Sequence, residues 1–204
     1  MKPSSITTLF IDIGGVILSN GWDHALREKA AQTFQLDLIE MNKRHALIFD
    51  TFEIGKITLD AYLDRVVFYQ PRPFTLSDFK EFMFDESYPF TDMLDLIREI
   101  KSSYSLKVVA LSNEGRELME NRRKKFHLKE LIDFFVCSGF VGLRKPDLDI
   151  YKLALELSQA QPSEVIYLDD RPLLAEIGQS IGLHAIQHKT CTETKKLLNE
   201  LLSK

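Results

Sequence analysis

The chain reads as an α/β protein: a Rossmann-like parallel β-sheet flanked by helices on both faces, with a small all-helical segment inserted after the first strand. Three observations carry this expectation. Short apolar runs recur, each closing on a polar residue or a glycine; stretches with helical period separate most of them; and one long interval after the first run holds helical patterns without a comparable strand.

The first run, Thr8-Leu9-Phe10-Ile11-Asp12, ends in a carboxylate and is followed by Gly14-Gly15, as expected for a buried parallel strand whose carboxyl end meets a tight loop. From Asp23 to about Tyr88 the pattern is helical, with one helix entered at Thr58 and another at Thr75, where Asp78 stands three residues on. Tyr88-Pro89 marks the return. Residues 1–20 and 88–204 are therefore expected to form one α/β core domain and residues 21–87 a helical cap. Met93, Leu94, Leu96, Ile97 and Ile100 make a helical stripe that leads into a strand at Lys107–Leu111, closed by Ser112-Asn113. The basic run Arg122-Arg123-Lys124-Lys125 is read as a solvated helix face. A strand at Phe134–Cys137 ends near Gly139. Ile150, Tyr151, Leu153, Ala154 and Leu157 form the next stripe, and Val165–Leu168 ends in Asp169-Asp170. A weaker strand follows at His184–Gln187. Leu197, Leu198, Leu201 and Leu202 then make a last amphipathic helix, which covers the sheet or pairs two copies.

The bulk properties narrow the function. At 204 residues the chain buries one good core with a modest satellite, and with 45% apolar and 27% charged residues it is expected to fold. A net charge of −4 provides no overall field for nucleic acid or an anionic membrane, so neither is expected as a partner. Cys137 and Cys191 stand far apart with no ligand spacing, which suits a reducing, cytoplasmic setting without disulfides or zinc. The N-terminal stretch is interrupted by Asp12 and two glycines and reads as neither signal peptide nor membrane span. A monomer or homodimer is expected.

Ligands of such sheets bind at the carboxyl ends of the strands. There the sequence offers Asp12, Ser112, Lys145 within Leu143-Arg144-Lys145-Pro146-Asp147, and the pair Asp169-Asp170. One carboxylate plus a pair makes an oxygen site suited to Mg²⁺, and the cation together with Lys145 relieves the repulsion of three acids at one edge. An aspartate can attack phosphorus and form an aspartyl-phosphate while Ser112, the Asn113 backbone amide and Lys145 hold the phosphoryl oxygens.

The segments Phe10-Ile11-Asp12-Ile13-Gly14-Gly15-Val16, Leu111-Ser112-Asn113, Gly142-Leu143-Arg144-Lys145-Pro146-Asp147 and Leu168-Asp169-Asp170 resemble, in order, the four motifs of the haloacid dehalogenase superfamily. The match is closest to the subgroup with a small helical cap that includes α-D-glucose-1-phosphate phosphatase. That resemblance implies an enzyme, a Mg²⁺-dependent phosphatase of a small phosphomonoester, with a sugar phosphate among the candidate substrates. Asp12 would be nucleophile and metal ligand, the Gly14 carbonyl and Asp170 further ligands, and Asp169 a ligand directly or through water. Ser112, Asn113 and Lys145 would bind phosphate, with Lys145 also acting in catalysis.

Two departures stand out. Phosphatases of this superfamily usually carry an acid/base aspartate two residues after the nucleophile, where this chain has Gly14, although the resembling subgroup tends to have glycine there too. Leu174 stands where many members place an asparagine that supports the second aspartate of the pair. The cap segment Phe49–Lys56, with Asp50, Glu53 and Lys56, is a candidate for substrate selection and, as plainly, a helix-connecting loop with surface charges. Glu176 is expected in solvent, His24, His45 and His127 at the surface or at caps, and Trp22 in packing or at the site entrance. Two rivals remain: a silent binding or regulatory protein that keeps the fold, and a metal-free dehalogenase, against which Asp169-Asp170 argues.

Overall fold

The protein is described here by a computed structural model covering residues 6–203; residues 1–5, which open the N-terminal stretch, lie outside the described residues. Among the described residues the sheet has five strands: β1 (Thr8–Ile11), β2 (Lys107–Ser112), β3 (Phe134–Cys137), β4 (Val165–Asp169) and β5 (His184–Gln187). All neighbouring strands pair in parallel, in the order β3-β2-β1-β4-β5. The chain builds outward from β1 on one side and then crosses to the other, so the order switches between β1 and β4, where a crevice opens at the carboxyl ends. Asp12 and Asp169 meet at that crevice because Ile11 pairs with Leu168 and the Asp12 amide donates to the Leu168 carbonyl at 2.9 Å.

Both faces of the sheet are buried, which is why its strands read as continuous apolar runs. Leu9 and Ile11 turn to one face with Val108, Ala110, Ile166 and Leu168; Phe10 turns to the other with Val109, Leu111 and Tyr167.

Among the described residues, four helices fill the interval between β1 and the second strand's approach: α1 (His24–Thr33), α2 (Leu38–Glu53), α3 (Leu59–Val66) and α4 (Leu76–Asp85). Thr58 caps α3, and Thr75 with Asp78 closes a reciprocal capping box on α4. These helices share their own apolar cluster, built on Trp22, Phe52, Tyr62, Leu63 and Phe79. Trp22 meets Phe79 edge-on at 5.8 Å and donates to the Tyr62 hydroxyl at 2.7 Å. Next come α5 (Thr91–Tyr104), whose stripe lies on the first sheet face, and α6 (Arg116–Lys125), followed by the short α7 (Ser138–Val141). The helix α8 (Leu148–Ser158) covers the opposite face with α9 (Pro172–Ser180), and α10 (Cys191–Leu202) buries Leu198 and Leu202 beside α5. No helix among the described residues is long and apolar enough to cross a membrane.

The structure corrects the sequence reading in four places. Arg122 is not on a solvated face: it is buried at 2% exposure, while Lys124 and Lys125 are exposed. Helical spacing places Arg122 on the same side as Leu118 and Met119, so the inward stripe of α6 runs through the basic cluster. Leu157 and Leu197 face solvent, because each lies off the arc of its helix that meets the sheet. Phe49–Glu53 is the last turn of α2 rather than a loop; the turn comes at Gly55, with φ +74°. His45 is half-buried in the cluster of the inserted helices, bonded through Nδ1 to the Tyr62 hydroxyl at 2.7 Å.

The two chain passages joining the insert to the sheet run side by side. Leu18 bridges Pro89, and the Ser19 amide donates to the Tyr88 carbonyl at 2.9 Å. Arg122 reaches across from α6 to both, donating to the Ser19 carbonyl and, at 3.0 Å, to the Ser87 hydroxyl.

Candidate active site

The carboxyl ends of the strands converge on a cavity of about 260 Å³. Its floor holds Asp12, Ser112 and Lys145, and its roof is formed by Phe49, Phe52 and Glu53 of α2 with the loop Asn20–Asp23. The inserted helices are seated over it by close backbone approaches. A methyl group on Gly55 would stand 2.4 Å from the Gly139 carbonyl oxygen. The Leu59 amide, at the start of α3, donates to Glu117 of α6 at 2.8 Å.

Asp12 is held from several directions. Its Oδ1 accepts from the Ile13 amide at 2.7 Å, Ser112 supplies a side-chain hydrogen bond, and Lys145 Nζ lies 3.2 Å from Oδ2. Burial raises its pKa and the Asp169 charge adds to this, with Lys145 pulling the other way. Lys145 is almost wholly enclosed, 1% exposed, and also bonds Asp169 at 2.6 Å. Burial alone would lower its pKa, but the two carboxylates outweigh it and push it up to about 12, so the ammonium stays charged. Asn113 holds Lys145 through the main chain: its side chain accepts from the Lys145 amide at 2.8 Å and donates to the Lys145 carbonyl at 2.7 Å.

Asp169 and Asp170 differ. Both oxygens of Asp169 are engaged, Oδ2 by Lys145 and the Tyr167 hydroxyl and Oδ1 by the Arg171 amide at 2.9 Å. Asp170 is the opposite case. Its Oδ1 is buried and, among the described residues, has no hydrogen-bond partner; burial, then Asp12 and Asp169, raise its pKa to about 6. It packs against Gly15, where a side chain would collide with its Oδ2 at 2.3 Å.

Ligand oxygens of Asp12, Asp169 and Asp170 all lie within 4.8 Å of one another. Three such acids, with the pKa values of Asp12 and Asp170 raised and one buried oxygen of Asp170 without a partner among the described residues, match a hard divalent cation, which would compensate both. The donor set therefore fits Mg²⁺. Gly14 lines the same cavity, its backbone beside Asp12.

The cap candidates separate. Glu53 lines the cavity, buried, with Arg144 Nε 2.8 Å from its Oε2; burial raises its pKa against the pull of Arg144 and Arg171. Asp50 is exposed and paired with Arg144. Lys56 is exposed and does not line the cavity, because Gly55 turns the chain away. Leu174 lines the cavity, Glu176 is exposed, and Trp22 and His24 stand at the cavity wall. His127 is exposed.

Sequence reading missed Arg144 as the partner of the cap acids, Tyr167, and the pair Glu114–Arg122. Tyr167 carried a signal, since a residue two before Asp169 on a strand shares its face. Arg122 and Glu114 carried none, because nothing in their spacing shows that α6 points them at the cavity.

An acid cluster with a buried lysine, at the switch point of a parallel sheet and under inserted helices, defines a hydrolase-type α/β site. The chain belongs to the haloacid dehalogenase-like hydrolases, whose family model matches residues 6–182. It is similar to the D-ribitol-5-phosphate phosphatase of Bacteroides thetaiotaomicron, 26% identical over 215 residues, covering 97% of this chain and 99% of that one. It is also 25% identical over 160 residues to flavin mononucleotide hydrolase 1 of Arabidopsis thaliana, covering 78% of this chain; it spans 63% of that relative's length, less than two-thirds. A HAD family enzyme of Bacteroides thetaiotaomicron solved with magnesium and inorganic phosphate shares the fold, with TM-score 0.75 and 22% identity over 90% of this chain and 94% of that one.

Proposed function

We propose that the protein is a Mg²⁺-dependent phosphatase that hydrolyses a small phosphomonoester through an aspartyl-phosphate on Asp12. The observation that carries this reading is the convergence of three carboxylates within 4.8 Å of one another on a buried lysine bonded to two of them. Relatives named as a sugar-alcohol phosphate phosphatase and a flavin mononucleotide hydrolase support the reaction class.

Asp12, Asp170 and the Gly14 carbonyl would hold Mg²⁺, with Asp169 assisting. When bound, the cation supplies charge neutralisation for the phosphoryl oxygens and the attacking carboxylate. Lys145 stays protonated and fixed between Asp12 and Asp169, so it offsets the negative charge of nucleophile and phosphate together without reorganising. The Ser112 hydroxyl and Asn113 amide bind phosphoryl oxygens, while the Asn113 side chain keeps Lys145 in place. The Asp12 carboxylate attacks phosphorus and breaks the ester P–O bond, the oxygen leaving as the alcohol; water then attacks phosphorus, the Asp12 O–P bond breaks, and inorganic phosphate and the free carboxylate are released.

Cavity size restricts the substrate. A volume of about 260 Å³ lies at the small end for ligand pockets and suits a compact phosphoester such as a sugar or polyol phosphate. Glu53, on the roof of the cavity, reads its hydroxyls in this proposal, and Asp50 acts by holding Arg144; the lining position of Glu53 and the pairs of both acids with Arg144 support this.

The test is phosphate release with Mg²⁺ from p-nitrophenyl phosphate and a panel of sugar and polyol phosphates. Wild type turns over, and Asp12→Asn loses activity by at least about 10³-fold, as removal of a covalent nucleophile does. Equal inertness of both across the panel, with tight Mg²⁺ binding retained, would establish the silent binding reading instead.

A further inference from the structure

We propose that Glu114 performs the leaving-group proton transfer for which Gly14 has no side chain. The inference rests on the phosphatase reading above and concerns a residue outside the four motifs.

A side chain at Gly14 would project toward Asn20 and Arg122: a Cβ built there stands 3.3 Å from Asn20 Oδ1 and 3.9 Å from Arg122 Nη1. The direction in which an acid would extend from Gly14 is thus occupied by a guanidinium. That guanidinium holds an acid of its own, since Arg122 Nη1 lies 3.1 Å from Glu114 Oε1. Glu114 and Asp12 line the same cavity. The carboxyl has been supplied from the β2–α6 connection rather than from the loop after β1.

The Glu114 carboxyl is positioned for use. Its amide donates to Ser138 Oγ at 2.8 Å and its carbonyl accepts from the Gly139 amide at 3.1 Å, which fixes the main chain. Arg122 fixes Oε1, and Gly21 leaves room for it, since a methyl there would meet Oε1 at 2.5 Å. Oε2 remains: it is buried and, among the described residues, has no hydrogen-bond partner. A buried carboxyl oxygen without a partner is costly unless something else binds it, and Glu114 is among the residues that line the polar cavity. Burial favours the protonated form, against the pull of Arg122 and with added repulsion from Asp12.

Of the other carboxyls on the cavity wall, Asp23 caps α1 by accepting from the Leu26 amide at 2.9 Å, and Glu53 is ion-paired with Arg144 on the roof, its Oε2, like that of Glu114, without a hydrogen bond among the described residues; Glu114 is the one held by the guanidinium toward which a Gly14 side chain would project.

In the first step the Asp12 carboxylate forms a bond to phosphorus, the ester P–O bond breaks, and the departing oxygen takes the proton from Glu114 to leave as the alcohol. In the second, Glu114 takes a proton from water as its oxygen bonds phosphorus. The Asp12–phosphorus bond breaks, and inorganic phosphate and the free carboxylate are released. Glu114 ends as it began, protonated.

A leaving-group comparison tests this, with Mg²⁺ and two esters, p-nitrophenyl phosphate and an alkyl phosphate such as glycerol phosphate. The nitrophenolate departs without a proton and the alkoxide does not. Glu114→Gln is expected to lower kcat about 100-fold or more on the alkyl ester and only a few-fold on the aryl ester. Glu114→Asp keeps a carboxyl beside Arg122 but withdraws it, and the same selective loss of at least about tenfold is expected. Equal losses on both esters, or a selective loss in Glu53→Gln and not in the Glu114 variants, would overturn the proposal while leaving the phosphatase reading in place. Wild type inert toward both esters overturns the two together.

Discussion

Replacing Arg122 by methionine is expected to destabilise the protein far more than its place in a run of four basic residues suggests. Arg122 is 2% exposed and contacts three groups: Glu114 at 3.1 Å, the Ser87 hydroxyl at 3.0 Å and the Ser19 carbonyl. Methionine retains the packing of the stem but leaves Glu114 buried and uncompensated, and removing one partner of such a pair costs about 3–5 kcal/mol. The raised pKa of Glu114 already favours its neutral form, which holds the loss near the lower end of that range. For a chain of this size each kcal/mol is worth roughly 2–4 °C, so the melting temperature should fall by about 6–12 °C. Urea unfolding followed by far-UV circular dichroism measures the loss. The double variant Arg122→Met/Glu114→Leu completes the cycle: with both charges gone, at least about half of the loss is expected to return. A single-variant loss under about 1 kcal/mol, typical of an exposed ion pair, would refute the reasoning, as would strictly additive losses.

Asp170→Asn should stabilise the metal-free protein by about 1 kcal/mol at pH 7.5, after discounting for the group's partial exposure. The folded pKa of Asp170 lies above its unfolded value, so its favourable contribution is present at low pH and is lost as pH rises through about 6. The same variant should lose the Mg²⁺-induced rise in melting temperature that wild type shows, and an equal rise in both would count against Asp170 as a ligand. His45 gives a pH prediction of the other sign. Burial first, then Arg27, lower its pKa to about 4, so it is neutral in the fold while the unfolded chain takes up a proton below about 6.5. Its contribution is present above pH 6.5 and declines toward pH 4, and by pH 5 wild type should lose about 1 kcal/mol more than His45→Phe. Denaturant midpoints at pH 7 and pH 5 check it; parallel losses in the two proteins would exclude the His45 account.

Much of the fold was legible because its determinants are local. A strand buried on both faces must be apolar throughout, so Thr8–Ile11, Lys107–Ser112 and Val165–Asp169 stand out in any reading, and the polar residues that close them mark the crevice. The chain order of Asp12, Ser112, Lys145 and Asp169-Asp170 was visible for the same reason. What those residues do to one another was not. That Asp169 is fully engaged while Asp170 Oδ1 has no hydrogen-bond partner among the described residues, and that Asn113 clamps the Lys145 backbone, depends on distances between strands that only sheet register sets.

The amino-acid sequence by itself determined the α/β alternation, the acidic and lysine residues at the strand ends, and the glycine where an acid usually stands. Tertiary structure decided which side chains surround that glycine. Arg122 reads as one member of a solvated basic cluster until the turn of α6 carries it inward, and Glu114 reads as an ordinary loop acid until Gly21 and Arg122 close around it. The physical reason is range. Strand and helix patterns follow from neighbours a few residues apart, whereas the charge, burial and partners of a cavity-lining group follow from chain segments about a hundred residues away, as Ser19 is from Arg122 at a separation of 103.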